Sequence, residues 1–234
     1  MDFSQAVVMI TGAAGNLGRG VAQAFAAQGA KLVLADLKRE ALTAAYGEEG
    51  LNRLYAPVNL LEEAQVNAAV ETAINKFGRI DVLCNIACGF RMGKAVHETA
   101  DADWNFMLDI NARTVLHTTR AVVPRMLAQG GGKIINIGAF GAQKGAAQMG
   151  AYIASKSAVI RLTETMGAEL REKNINVNCI LPTVIDTPEN RKAMPDADPS
   201  RWVPVADIAA TIAFLASDGA KSIHGAAIPV AGLS

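Results

Sequence analysis

A tyrosine and a lysine stand four residues apart in the segment AYIASKSAV, at Tyr152 and Lys156. Residues at this spacing lie on one face of a helix, so a phenol is presented beside an ammonium group. A nearby cation stabilises the phenolate and lowers the pKa of the tyrosine toward the range that suits general acid-base catalysis. The pair predicts proton transfer, although the same spacing also arises by chance from a half-buried tyrosine and a lysine that reaches solvent.

A glycine-rich turn near the start of the chain, TGAAGNLG, predicts a site for a dinucleotide. An apolar run precedes the turn and a helical run follows it, which is the context that this motif requires. Gly12 permits the tight turn, Gly15 lets the backbone approach a pyrophosphate, and Gly18 lets helix and strand pack closely. The helix N-terminus faces the phosphate charge, and we place Asn16 and Leu17 of the same turn among the cofactor contacts.

Asp36 ends the second apolar run, LVLAD, about 20 residues beyond the glycine turn. At this position a carboxylate accepts hydrogen bonds from the ribose hydroxyls of an adenosine, which favours NAD. Lys38 and Arg39 follow directly and offer positive charge for a 2'-phosphate, so NADP remains an alternative. An isolated aspartate after a strand can also simply cap a turn or a helix.

Short apolar runs alternate with longer amphipathic runs along the whole chain, and this pattern predicts a single α/β domain over residues 1–234. The fold class expected is a doubly wound parallel sheet of about seven strands with helices on both faces. The predicted strands are 6–11, 31–35, 51–58, 80–85, 133–138, 175–181 and 227–230. The predicted helices are 16–28, 38–45, 61–77, 101–128, 150–173 and 205–216.

Two further stretches follow the carboxyl ends of strands, where open α/β sheets bind their ligands. In DVLCNIACG, Asn85 and Ala87 are candidates for contact with the adenosine half, although Asn85 alone could close a turn. Residues 187–204 form an irregular stretch rich in prolines and charges, which we interpret as a lid over the substrate site. The alternative is a solvated surface connection.

The bulk properties favour small-molecule chemistry. Lysine plus arginine equals aspartate plus glutamate at 22 each, so no basic excess is present to bind nucleic acid. No apolar run approaches the roughly 20 residues of a membrane helix, and the first residues do not read as a signal peptide, which predicts a cytoplasmic protein. Cys84, Cys88 and Cys179 match no metal spacing, so we expect reduced thiols and no metal.

Taken together, these motifs resemble the short-chain dehydrogenase/reductase family over essentially the whole chain. The resemblance rests on TGAAGNLG, NIAC at 85–88, Asn111 in DINARTVL, GKIINIG, YIASK and LPTVIDT. It implies a Rossmann-type fold and an NAD(P)-dependent oxidoreductase of small carbonyls and alcohols. Tyr152 would exchange the proton with the substrate, Lys156 would bind the nicotinamide ribose and lower the tyrosine pKa, and Asn111 would hold a water in the proton relay.

The resemblance also implies that residues 182–187 contact the nicotinamide end of the cofactor, and we name Pro182, Val184 and Thr187. It further implies a homodimer or homotetramer that pairs through the helix 150–173 and the C-terminal strand. Residues that we expect around the substrate are Phe90, Ala139, Gln143 and Trp202.

The chain departs from the family pattern at four places. In the opening turn the central glycine lies one place early and Asn16 stands in its position; NIAC replaces NNAG; and Thr183 replaces a glycine after Pro182. The fourth departure bears on catalysis, because the family places a serine thirteen residues before the tyrosine and this chain has Ala139 there. Residues 137–151 contain no serine or threonine, so a small shift in alignment does not restore the hydroxyl.

The family serine donates a hydrogen bond to the substrate oxygen, and losing such a donor costs about 10² to 10³ in rate. Gln143, Gln148 or a water are candidate replacements. An alternative substrate is a conjugated C=N system, because relatives that resemble dihydropteridine reductase carry alanine at this position. A hypothesis of another class is a catalytically weak protein that binds or senses the nucleotide.

Overall fold

The computed structural model describes residues 3–234, and the predicted alternation of strands and helices is confirmed along that whole range. Seven parallel strands form one sheet in the order β3-β2-β1-β4-β5-β6-β9. Those strands are β1 Val7–Thr11, β2 Lys31–Asp36, β3 Arg53–Pro57, β4 Val82–Asn85, β5 Gly132–Ile137, β6 Ile175–Pro182 and β9 Ala227–Val230. A separate parallel pair is formed by β7 Ile185–Asp186 and β8 Val203–Pro204.

Helices cover both faces of the sheet, as expected for a doubly wound fold. They are α1 Asn16–Ala26, α2 Arg39–Tyr46, α3 Glu63–Phe77, α4 Asp101–Leu108, α5 Thr114–Ala128, α6 Gly150–Leu170, α7 Pro188–Ala193 and α8 Val205–Ala216. The helix predicted over 101–128 is continuous but not uniform. A π-helical stretch, Asp109–Arg113, joins α4 to α5 and contains Asn111, and such wide turns occur frequently at functional sites.

Alternating side chains of each strand enter two separate cores. Val7 and Met9 of β1 belong to one apolar cluster, whereas Val8 and Ile10 belong to the other. The first cluster packs against α3, α5 and α6, and the second packs against α1 and α8. Because strands buried on both faces are apolar at most positions, near-continuous apolar runs such as VVMIT were readable in the sequence.

The strand order reverses between β1 and β4. From β1 the chain proceeds outward through β2 and β3, and it then returns to place β4 on the other side of β1. Thr11 and Asn85 are partners in register at the adjacent carboxyl ends of these two strands. Ligands of open α/β sheets bind at such a switch point, so the topology brings the glycine turn and the NIAC stretch together.

A buried polar network joins the centre of the sheet to the helices on one face. Asn85 accepts a hydrogen bond from the Thr118 hydroxyl at 2.8 Å and donates to the side chain of Asn136 at 2.9 Å. Asn136 in turn donates to the Thr163 hydroxyl on α6 at 2.9 Å. Each buried group therefore has a partner, as low-dielectric surroundings require.

Within residues 3–234, no helix combines the length and apolarity needed to cross a bilayer. The same range contains no cluster of three or more His, Cys, Asp or Glu side chains suited to a metal. All three cysteines are free thiols; Cys84 and Cys179 are buried, and Cys88 is exposed.

Candidate active site

The glycine turn after β1 is built to admit an anion closely. Gly12 has φ +63°, and a Cβ there would lie 2.8 Å from the Cα of Ala87. A Cβ on Gly18 would lie 2.2 Å from the carbonyl oxygen of Gly12. Gly15 precedes α1 without any side chain capping the first turn, so the amide groups of that turn face the crevice unmasked. These features fit a dinucleotide pyrophosphate.

A crevice of about 630 Å³ runs across the switch point. Its walls include most of the residues predicted from the sequence to bind the cofactor: Gly12, Gly15, Asn16, Leu17, Gly18, Asp36, Ala87 and Thr187. Cys88, Ile110 and Thr114 line the crevice as well, although the sequence had not singled them out for the cofactor. The volume lies within the range of small-molecule and cofactor sites.

The carboxylate of Asp36 is fixed at the end of β2. It accepts hydrogen bonds from the amide of Ala14 at 2.9 Å and from the amide of Leu37 at 2.8 Å. Of the two cations proposed for a 2'-phosphate, Arg39 pairs with Glu49 at 2.9 Å and lies over the ring of Tyr55, whereas Lys38 is exposed. A negative charge therefore faces the crevice at the position expected for an adenosine ribose.

The side chain of Asn85 does not reach the crevice. It is buried at 4% exposure and is engaged by Thr118 and Asn136, which corrects the prediction that it contacts the adenosine half. The reason is its register in the ladder, which directs the amide into the sheet. The hydroxyl of Thr11 holds this loop instead, since it accepts the amides of Ile86 at 3.0 Å and Ala87 at 3.2 Å. The TG dipeptide at the end of β1 is the sequence signal for this threonine.

Tyr152 lies in the first turn of α6, and its environment favours the protonated phenol. Its ring packs edge-on against Phe90, with 4.8 Å between ring centroids. Burial raises the pKa of Tyr152 above its ordinary value, and the nearby Cys88 thiol raises it further. The groups that shift this pKa do not include Lys156, so the predicted effect of Lys156 on the tyrosine stays a prediction.

The ammonium of Lys156 is held by a backbone carbonyl. Its side chain is only 2% exposed, and its ammonium donates a hydrogen bond to the carbonyl oxygen of Ile137 at 2.8 Å. The charge is therefore engaged by the end of β5, whereas the phenolate of Tyr152 would be desolvated by its own surroundings. Lys156 is thus held beneath the carboxyl end of β5, on the same helix as Tyr152.

The side chain of Asn111 makes three hydrogen bonds. Its amide donates to the Gly89 carbonyl at 3.1 Å and to the Ser155 hydroxyl at 2.9 Å, while its oxygen accepts the Gly89 amide at 2.9 Å. Ser155 continues the chain by donating to the carbonyl of Tyr152 at 2.7 Å. Ser155 was missed as a positioning residue, although it stands directly before Lys156 in YIASK.

The four residues predicted around the substrate are placed differently from one another. Phe90 is 56% exposed beside Tyr152, and Ala139 is buried just after β5. Gln143 is exposed, and its amide nitrogen donates to the Phe140 carbonyl within the same short helical turn at 3.4 Å. Trp202 is 6% exposed, and its backbone packs closely against Gly232; its place in the substrate pocket stays a prediction.

Residues 182–187, at the end of β6 and just beyond it, have different surroundings from one another. Pro182 is buried in the strand opposite Val230, and the carbonyl of Val184 accepts the amide of Val203 at 2.9 Å. Thr187 reaches the crevice and also caps α7 by accepting the Asn190 amide at 3.2 Å. Of the three residues named from this stretch, Thr187 is therefore the one that lines the crevice.

Comparisons with known proteins agree with this geometry. A family profile described as short chain dehydrogenase matches residues 6–198. This chain belongs to the short-chain dehydrogenase/reductase family. Its fold and crevice are those expected for a member, and the chain is an NAD(P)-dependent oxidoreductase.

Two curated members of the short-chain dehydrogenase/reductase family are similar over nearly their whole length. D-threitol dehydrogenase of Mycolicibacterium smegmatis is 36% identical over 239 residues, covering 97% of this chain and 91% of that protein. The 3-oxoacyl-(acyl-carrier-protein) reductase of Thermotoga maritima is 33% identical over 243 residues, covering 99% and 98%. Among solved structures, NAD+-bound xylitol dehydrogenase superposes with a TM-score of 0.90 at 29% identity, covering 99% of this chain and all of that one.

Proposed function

We propose that this enzyme interconverts a small secondary alcohol and the corresponding ketone, with NAD as its preferred cofactor and Tyr152 as its proton donor and acceptor. The observation that carries the proposal is the lining of the crevice. Its walls include Asp36, the glycine turn, Cys88 and Ile110, and Cys88 lies near enough to Tyr152 to affect the pKa of the phenol. A dinucleotide lying along the crevice would place its reactive ring beside the phenol.

The preference for NAD rests on charge. The Asp36 carboxylate can accept the ribose hydroxyls, and it would repel a 2'-phosphate at the same position. Arg39 is held away by Glu49 and offers no direct compensation. NADP would therefore bind more weakly than NAD.

The chain's own residues divide the remaining work. The turn from Gly12 to Leu17 would hold the pyrophosphate against the N-terminus of α1, and the bound nicotinamide supplies or accepts the hydride. Tyr152 would give its proton to the substrate oxygen during reduction and accept it during oxidation. Lys156 would hold the nicotinamide ribose. Asn111 would hold a relay water through its amide oxygen, which accepts one hydrogen bond from Gly89 and has a second lone pair available.

A substrate panel tests this function directly. The protein is mixed with NADH or NADPH and with small ketones, aldehydes, quinones and quinonoid pterins, and oxidation of the reduced cofactor is followed by absorbance. Turnover of a ketone with NADH, and of the matching alcohol with NAD+, is the expected result. Binding of NADH without turnover of any compound in either direction would refute the enzymatic proposal and favour a nucleotide-sensing protein.

The second candidate is reduction of a conjugated C=N substrate, and Ala139 is the observation that favours it. Residues 137–151 offer no hydroxyl to a substrate oxygen. In a conjugated acceptor, charge spreads over the ring, so a single donor contributes less to the transition state. Turnover of quinonoid pterins in the panel at rates well above those of ketones would select this candidate.

We also propose that the protein forms a homodimer or homotetramer. Two surfaces support this: the half-buried small residues Ala154 and Ala158 on α6, and the outer edge of β9, which pairs on one side with β6. Unpaired strand edges commonly join a second copy. Light scattering coupled to gel filtration would measure the mass, and a monomer at micromolar concentration would contradict the proposal.

A further inference from the structure

One peptide unit of the glycine turn is held at both ends by side chains. The carbonyl oxygen of Ala13 accepts a hydrogen bond from the Tyr46 hydroxyl at 2.5 Å. The amide nitrogen of the next residue, Ala14, belongs to the same planar unit and donates to the Asp36 carboxylate at 2.9 Å. Tyr46 and Asp36 are therefore joined through a single rigid peptide plane.

The two side chains come from different elements and reach the turn from different sides. Asp36 ends β2, and Tyr46 is the last residue of α2. Ala14 and Asp36 line the crevice, whereas Tyr46 packs against the second apolar cluster, to which Ala13 also belongs. Tyr46 can therefore influence the crevice wall from behind the turn.

The ring of Tyr46 is held independently of its hydroxyl. The guanidinium of Arg53 lies over the ring, 5.8 Å from the centroid, and the centroid of the Tyr55 ring lies 6.4 Å away. Arg53 also donates a hydrogen bond to the backbone carbonyl of Tyr46. Because these contacts use the ring and the backbone, Tyr46→Phe retains them and removes the hydroxyl alone.

The hydroxyl of Tyr46 stays protonated, as a donor must. Burial raises the pKa of Tyr46 above its ordinary value, whereas Arg19 lowers it by a smaller amount and Asp36 raises it again. The group can therefore donate to the Ala13 oxygen throughout the pH range of an assay. A hydrogen bond to this carbonyl also polarises the amide at the other end of the peptide, which strengthens the donation from Ala14 to Asp36.

The orientation of the Asp36 carboxylate depends on this chain of contacts. One of its oxygens is held by the Ala14 amide and the other by the Leu37 amide, at 2.8 Å. Each carboxylate oxygen accepts about two hydrogen bonds, so both oxygens keep a lone pair for the ribose hydroxyls. When the peptide that carries the Ala14 amide rotates, the carboxylate loses one of the two contacts that align it.

We propose that Tyr46 is a positioning residue for NAD, whose hydroxyl holds the Ala13–Ala14 peptide so that Asp36 presents its carboxylate to the adenosine ribose. This inference rests on the proposed position of the dinucleotide. Releasing the peptide lowers the fraction of molecules in which Asp36 is aligned, and the apparent affinity for NADH falls by that fraction. One hydrogen bond to a backbone carbonyl corresponds to about a three- to tenfold change.

The test compares two tyrosine hydroxyls that make the same kind of bond. Tyr55 also donates to a backbone carbonyl, that of Gly47 at 2.6 Å, but Gly47 lies outside the glycine turn. Tyr46→Phe and Tyr55→Phe each remove one such bond, so both should lower the thermal midpoint of unfolding. Tyr55→Phe is therefore the matched control for an effect of stability alone.

Fluorescence titration measures the dissociation constants of NADH and NADPH. Tyr46→Phe is expected to weaken NADH binding about three- to tenfold and to change NADPH binding less than about twofold, because a 2'-phosphate cannot bond the Asp36 carboxylate. Tyr55→Phe should leave both constants within about twofold of those of the natural chain. With a ketone that the natural chain reduces, KM for NADH should rise in Tyr46→Phe while kcat stays within about twofold.

A double variant asks whether Tyr46 acts through Asp36. In the Asp36→Ala chain the carboxylate is gone, so adding Tyr46→Phe should change NADH binding less than about twofold. A second readout needs no cofactor, since NMR can follow the exchange of the Ala14 amide hydrogen with deuterated water. That amide should exchange about three- to tenfold faster in Tyr46→Phe and at the natural rate in Tyr55→Phe.

NADH binding by Tyr46→Phe that equals that of the natural chain would overturn the proposal. So would an equal loss of NADH and NADPH binding, an equal loss in Tyr55→Phe, a full effect of Tyr46→Phe in the Asp36→Ala chain, or an unchanged exchange rate of the Ala14 amide. If the natural chain binds neither cofactor, the proposed function fails instead, and the exchange rates of the Ala14 amide then decide by themselves whether Tyr46 holds the Asp36 contact.

Discussion

Substituting Ala139 by serine tests the most consequential departure in the active site. Ala139 lies at the carboxyl end of β5 with an extended backbone, φ −156° and ψ 141°, which serine adopts equally well. The substitution adds one oxygen to a side chain that is 7% exposed. It therefore restores a hydroxyl at the family position without requiring the backbone to change.

Two effects of this change can be estimated separately. A donor to the developing charge on a substrate oxygen contributes about 10² to 10³ in rate, which corresponds to roughly 3 to 4 kcal/mol. A buried hydroxyl without a protein partner costs about 1–3 kcal/mol of folding free energy. For a chain of this length, that cost lowers the thermal midpoint by roughly 2 to 12 °C. Rates per folded molecule should rise even though the fold is weakened.

The assay is ketone reduction by NADH under single-turnover conditions, which isolates the chemical step. Ala142→Ser is the matched control, since Ala142 is 6% exposed and lies three residues further along the same segment. Gly138→Ser gives a contrast of another kind. Its Cβ would lie 2.6 Å from Leu181 and 2.9 Å from the Cys179 sulfur, so we expect it to destabilise the protein.

An Ala139→Ser variant that folds, binds NADH and reduces ketones no faster than the natural chain would refute the reasoning. The missing hydroxyl would then not limit the reaction, and a substrate that needs no such donor would be favoured. Equal acceleration by Ala142→Ser would refute it as well, because the effect would then not depend on position.

Four further outcomes are expected. Tyr152→Phe should abolish turnover, while fluorescence titration should show that NADH binding is intact. Because burial keeps the phenol protonated, the rate of alcohol oxidation by the natural enzyme should rise with pH. A flat pH profile would contradict this. Asp36→Ala should reduce the ratio of kcat/KM for NADH over kcat/KM for NADPH by about tenfold or more, because it removes one charge interaction of about 1.4 kcal/mol. An unchanged ratio would show that Asp36 does not select between the two cofactors. Burial raises the pKa of the Cys84 thiol and raises that of Cys179 to about 11, from 9.0. The folded chain therefore retains protons that the unfolded chain loses, and the urea midpoint of unfolding should fall as pH rises from 9 toward 11. Constant urea midpoints between pH 8 and 10.5 would contradict that linkage.

The periodicity of the sequence was enough to predict the fold, because strands buried on both faces read as unbroken apolar runs. The glycine turn and Asp36 were readable for a related reason, since backbone conformation and close approach leave few residue types at those positions. In both cases the local structure restricts which residue types can stand at a position, so the sequence alone indicates it.

The misplaced residues depend on contacts between distant parts of the chain. Asn85 looked like a ligand because it ends a strand, but whether its amide turns into the sheet depends on Asn136 and Thr118. Lys156 was predicted to act beside Tyr152 from its helix spacing, and the sequence did not indicate that its ammonium would also bond the carbonyl of Ile137. Spacing on a helix does not reveal what a neighbouring strand offers to the same group.

The asparagine and threonine network inside the sheet restricts how this sequence can change over time. Thr118, Asn85, Asn136 and Thr163 each satisfy a neighbour, so replacing any one by an apolar residue strands a buried polar atom, at about 1–3 kcal/mol. A first substitution is therefore penalised even when a second would relieve it. The four positions should be inherited together, and exchanges among related chains should occur there as coordinated sets.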